Sequence, residues 1–133
     1  MTSTFSSVVE KFFELALEAE RIDSECMEEP LEPAFDAVLS FVIAHPECRD
    51  EFAGAFMRLA RDPSLGPPEL IQYCMHALRW DDVKISLSSW LQSEKSERVR
   101  HVLRKIIMSF DDDWYDADLY ARFQRDQPRT DVD

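Results

Sequence analysis

Glycine is nearly absent, with only Gly54 and Gly66 in 133 residues. The tight hairpins of a β-sheet draw on glycine, and apolar residues here rarely alternate with polar ones, so a turn-rich β fold is disfavoured. Cysteine is scarce too: Cys26, Cys48 and Cys74 form no CxxC pair, and an odd number of thiols does not suit a disulfide framework. The longest apolar run, between Asp36 and His45, is broken by Ser40 and falls well short of the roughly 20 residues that span a bilayer. Met1 to Ser7 carry no positive side chain ahead of an apolar stretch, and Glu10 stands where the apolar centre of a secretory signal would be. Reduced thiols without a span or a signal imply residence in the cytosol. Bases are the last shortage, 15 against 27 acidic residues, for a formal net charge of -12. Such a surface repels nucleic acid and anionic lipid, and it favours a cationic partner.

What is present suits one all-α domain. An apolar content of 45% fills a single core without metals or staples. The domain is expected over residues 1–124, with 125–133 a polar, frayed tail. Six to seven helices are legible. Ser7 and Glu10 form a capping box for the first, which ends near Ile22 and buries Phe5, Val8, Val9, Phe12, Phe13, Ala16 and Leu17. Asp23 to Glu32 reads as a solvated connection. Pro33 suits the first turn of a second helix, so apolar over Ala34 to Ala44 that it is expected at the centre. Pro46 stops it and opens a third, to Arg61, with Phe52, Phe56, Met57 and Leu59 inward; Pro68 or Glu69 starts a fourth, to Trp80. Asp81 caps a fifth, with Val83, Leu87, Trp90 and Leu91 inward, and Ser96 caps a sixth. The aspartates from Asp111 to Asp118 start a short seventh that carries Leu119, Tyr120 and Phe123.

At a spacing of 30 residues, Arg79-Trp80-Asp81-Asp82 is echoed by Ser109-Phe110-Asp111-Asp112, and Trp90 by Tyr120. Helix pairs repeated at this period suggest an α-solenoid fragment. Leu78-Arg79-Trp80-Asp81-Asp82-Val83-Lys84 resembles the turn of a HEAT-type repeat, in which an acidic turn and a following Val-Lys or Val-Arg link paired helices. The resemblance covers residues 68 to 124, and the first half does not show it. HEAT-like hairpins and an irregular helical bundle are therefore the two architectures expected.

Asp111, Asp112, Asp113, Asp116 and Asp118 place five carboxylates within eight residues, beside Trp114 and Tyr115. Asp112 to Asp116 matches the DDxxD pattern with which terpene synthases hold magnesium, but those enzymes are far longer and need a second acidic motif that is missing here. Counted as an EF-hand from Asp111, the loop has Asp116 where glycine is needed and Arg122 where glutamate is needed. Capping of a helix accounts for one or two of the aspartates, not five. The surplus points to a patch for a basic partner made of Asp111, Asp112, Asp113, Trp114, Tyr115, Asp116 and Asp118, with Asp81 and Asp82 of the preceding acidic turn. Trp114 is the aromatic expected to stay exposed as anchor, whereas Trp80 and Trp90 read as core.

Two features compete with that patch. Lys95, Arg98, Arg100, Arg104 and Lys105 on the sixth helix are positioned to neutralise the aspartates, and residues 10 to 32 carry nine acidic against two basic side chains. His45 with Cys48, and Cys74 with His76, lack the spacing of a zinc motif, and buried small hydrophobes explain such cysteines better. Glycine-rich phosphate loops, HExxH and Ser-His-Asp orders do not occur, so neither a cofactor nor catalysis is expected. In size, helical class, charge and want of catalytic motifs, the chain is similar to the small acidic immunity proteins that neutralise bacterial toxins, often basic nucleases. That similarity implies a basic protein partner, with no direct contact to nucleic acid or membrane. A HEAT-like adaptor and an acidic DNA mimic are the alternatives, and oligomeric state is not legible.

Overall fold

The computed structural model describes residues 3–25 and 30–124, with side chains from Ser7 onward. Cys26, Glu28, Glu29, the Phe5 side chain and the tail after Gln124 lie outside the described residues. Within them the chain is all-α, in the order α1 (Ser3–Glu25), α2 (Glu32–Ala44), α3 (Arg49–Arg61), α4 (Pro68–Leu78), α5 (Asp81–Ser93), α6 (Glu97–Met108) and α7 (Ala121–Gln124). Single 3-10 turns stand at Pro46–Cys48, Pro63–Leu65 and Ala117–Leu119. Each of the seven α-helices sends side chains into one apolar core.

Several helix starts follow the chemistry of their first residues. Pro33 and Pro68 sit in the opening turns of α2 and α4, where an amide would have no intrahelical partner. Ser96 caps α6 by accepting the Val99 amide at 3.4 Å. Two expected caps do not form. Ser7 lies inside α1, because no glycine or proline between Ser3 and Ser7 interrupts the helix. Asp81 is already the first residue of α5, whose extended cap residue is Trp80.

The buried side of α1 runs through Phe12, Ala16, Ala19 and Ile22, spaced to stay on one face. Leu17, expected inward, falls off that face and is 52% exposed. Small side chains on the stripe have a use: a Cβ on Gly66 would stand 3.3 Å from that of Ala16 and 3.4 Å from Leu59 Cδ2, so the turn at Gly66 presses directly on α1.

The central helix is α4, not α2. Every residue from Leu70 to His76 is buried, while α2 leaves Ile43 exposed. Gln72 and His76 dilute the apolar character of α4 and disguised this in the sequence. α4 ends on Arg79, a non-glycine residue in the left-handed region (φ 54°, ψ 44°), whose amide closes the last turn on the Met75 carbonyl at 2.8 Å. Trp80 and Trp90 are half-buried rather than sealed. Arg49 covers the Trp80 ring at 4.2 Å and Arg61 the Trp90 ring at 4.8 Å.

Candidate functional site

The seventh helix is short, as expected, but the aspartate-rich segment does not open it. After Phe110 the chain runs through successive turns to the 3-10 turn Ala117–Leu119, and α7 is a single turn beyond it. Its hydrogen bonds are local: Trp114 amide to Asp111 carbonyl at 3.2 Å, Ala117 to Trp114 at 3.1 Å, Leu119 to Asp116 at 3.0 Å.

Trp114 is the main correction. It is 4% exposed, with its ring 5.0 Å from His76 and stacked on Tyr120 at 6.1 Å, while Phe123 meets it edge-on at 6.3 Å. Polar neighbours suggested a surface residue, but the turns at Asp111 and Trp114 roll the indole inward. The loop is thereby nailed to α4 through His76, whose Nδ1 also pairs with the buried Ser109 carbonyl at 2.8 Å. Side chains that face solvent are instead Tyr115 at 57% and Leu119 at 69% exposure. Leu119 is the most exposed large apolar side chain described. Around these two stand Asp111, Asp112, Asp113 and Asp118, all exposed, and the half-buried Asp116.

Charge neutralisation follows a pattern different from the one expected. Arg79, not a base of α6, holds Asp112 at 2.8 Å and keeps its carboxyl below the usual carboxylate range. Arg49 grips Asp82 with two bonds of 3.0 and 2.8 Å, with the same effect on its carboxyl. On α6, Arg104 turns to Glu97 at 2.6 Å, and Arg100 donates to the carbonyls of Leu91 (2.6 Å) and Glu94 (3.2 Å). Among the described residues, Asp81, Asp111, Asp113 and Asp118 take part in no ion pair.

Glu69, in the first turn of α4, links the two acidic regions of the sequence. Burial, then the charges of Asp23 and Glu69, push the Glu20 carboxyl on α1 up. Burial, then Glu69, Asp116 and Glu32, push the Tyr120 hydroxyl up to about 12. Glu69 thus lies within electrostatic reach of both Glu20 on α1 and Tyr120 behind the aspartate loop.

Beside this face lies a cleft lined by Glu32, Pro33, Asp36, Ala121 and Arg122. Glu32 belongs to what the sequence offered as a solvated connection. It accepts the Ala121 and Arg122 amides at 2.7 and 3.0 Å, so a carboxylate from the far end of the chain, not the aspartate cluster, caps α7. No local pattern signals this, because the amides it serves follow it by 89 and 90 residues.

His45 precedes and Cys48 ends the 3-10 turn Pro46–Cys48, and His45 Nδ1 is engaged by the Phe41 carbonyl at 2.9 Å. Burial pushes the Cys48 and Cys74 thiols up, which makes them poor nucleophiles. Among the described residues no three His, Cys, Asp or Glu side chains converge as a metal site requires. No protein-family model, curated protein or solved structure matches this chain.

Proposed function

We propose that this chain is a non-catalytic binding module that covers a cationic protein surface with the loop from Asp111 to Leu119. One observation carries the reading: burial of Trp114 fixes the loop so that Tyr115 and Leu119 project outward beside Asp111, Asp113 and Asp118, which take part in no ion pair among the described residues. An exposed aromatic and a leucine supply the desolvated centre that binding energy needs, and the carboxylates supply the polar rim. The wider field, through Glu69 to Glu20, steers a positive partner towards the loop and makes association fast and salt-sensitive.

An immunity protein that blocks a Lys/Arg-lined toxin cleft, such as that of a nuclease, is the member of this class that combines these properties. A recurring contact favours a second reading, a HEAT-like adaptor. Arg49 bonds Asp82 and Arg79 bonds Asp112, each across 33 residues, so the two pairs repeat at the spacing of the acidic turns.

Affinity capture from a native lysate at low and high salt, with identification of the retained proteins, tests the first reading. A basic protein held at low salt and released at high salt supports it. If nothing basic is retained at low salt, the cationic-partner reading fails. A partner of neutral or acidic character held independently of salt supports the adaptor instead.

A further inference from the structure

A helix of one turn is not stable by itself, because nucleation costs more than its few bonds return. α7 (Ala121–Gln124) is that short, and its order is imposed by α2. Glu32 places Oε1 on the Ala121 amide at 2.7 Å and Oε2 on the Arg122 amide at 3.0 Å. One turn along α2, Asp36 Oδ1 receives Nε and Nη2 of Arg122 at 3.1 and 2.8 Å. The Tyr73 hydroxyl lies between the two carboxylates, 2.9 Å from Glu32 Oε2 and 3.3 Å from Asp36 Oδ1, and its single proton serves one at a time.

Behind these bonds is a layer of rings. Tyr120 and Phe123 lie 5.0 and 5.2 Å from Tyr73, and Phe123 meets His76 edge-on at 4.6 Å. Trp114, which anchors the acidic loop, stacks on Tyr120. The floor under the loop is thus built from the very residues that flank the amides capped by Glu32.

We propose that Glu32 is a clasp: by closing α7 onto α2 it fixes the shape of the acidic loop, so that clasp closure and partner binding favour each other. The proposal rests on the reading of the loop as the partner surface. With the clasp open, Tyr120 and Phe123 leave their places, Trp114 loses its floor, and Tyr115 and Leu119 no longer hold fixed positions. A partner that recognises the ordered loop then meets a smaller competent population, and by linkage its binding draws the clasp shut.

Hydrogen exchange on the whole chain tests the clasp without any partner. Glu32→Gln keeps the side-chain shape and removes the charge that the two amides share. The amides of residues 111–124 are expected to exchange about tenfold faster or more, the worth of a charged hydrogen bond, with α3 and α5 unchanged. Arg122→Gln, which leaves the amide caps in place, gives a smaller increase over the same segment. Unchanged exchange in residues 111–119, or equal acceleration in every helix, overturns the clasp.

Binding of a polyarginine peptide at low salt supplies the second arm. Arg122→Gln makes the chain more negative, so simple electrostatics tightens this binding, whereas an opened clasp weakens it by about fivefold. Tighter binding overturns the coupling. If the wild-type chain does not bind the peptide while both variants accelerate exchange in residues 111–124, the binding reading fails and the clasp stands.

Discussion

Arg79 Nη1 donates to the Asp112 carboxylate at 2.8 Å while the arginine's own backbone stays in the left-handed region, with Nε on the His76 carbonyl at 2.6 Å. A side chain with a Cβ pays roughly 1 kcal/mol or more for that conformation. The carbonyl of a buried helix end, capped by Nε, is what offsets it. The bond to Asp112 contributes little, since that carboxylate is exposed to solvent. Arg79→Ala is expected to lower stability by about 1–2 kcal/mol in a urea titration, while Asp112→Asn leaves the midpoint in place. Equal losses from both would show that the ion pair, not the helix end, matters.

The two glycines should respond to alanine with opposite signs. Nothing lies within 4 Å of a Cβ on Gly54, which sits inside α3, so Gly54→Ala is expected to stabilise by about 0.5–1 kcal/mol. Gly66→Ala drives a methyl to 3.3 Å from Ala16 Cβ and is expected to destabilise by about 1 kcal/mol or more. Thermal unfolding of the two variants beside the wild type settles both signs.

Much of this fold is legible from punctuation. Pro33, Pro68 and Ser96 mark true helix starts because their effect depends only on neighbouring backbone. Ser7 misled for the same reason, as a cap is optional where nothing stops the helix upstream. The acidic loop was legible as a feature but not in its orientation. Whether Trp114 or Tyr115 faces outward depends on turn geometry and on His76, Tyr120 and Phe123, all distant or in another element. Glu32 was invisible, since its role is set by amides 89 and 90 residues away.

Burial also raises the Tyr73 hydroxyl and the Cys48 and Cys74 thiols, so at alkaline pH Tyr120 is isolated by comparing the wild type with Tyr120→Phe. Burial and the surrounding carboxylates raise its hydroxyl from 10.0 to about 12, so the fold prefers the neutral form. That contribution is complete below pH 10 and is lost as pH climbs towards 12. Tyr120→Phe cannot ionise, so its stability relative to the wild type is constant below pH 10 and improves above it. Urea midpoints across this range test the trend; a difference that does not change with pH places the hydroxyl in solvent.

Trp114 and Tyr115 separate the loop's foundation from its working surface. Removing the buried indole by Trp114→Ala is expected to cost about 3–5 kcal/mol, the usual range for a large aromatic in a core. Tyr115→Ala, at an exposed position, should leave the urea midpoint within about 0.5 kcal/mol of wild type.

The most direct measurement is the affinity of the basic protein captured at low salt for the wild-type chain and for the Tyr115→Ala, Leu119→Ala double variant. Truncation of a binding anchor is worth about 2 kcal/mol, so a loss of about thirtyfold is expected with folding unaffected. Unchanged affinity in the folded double variant would contradict the account and move the partner surface away from the loop.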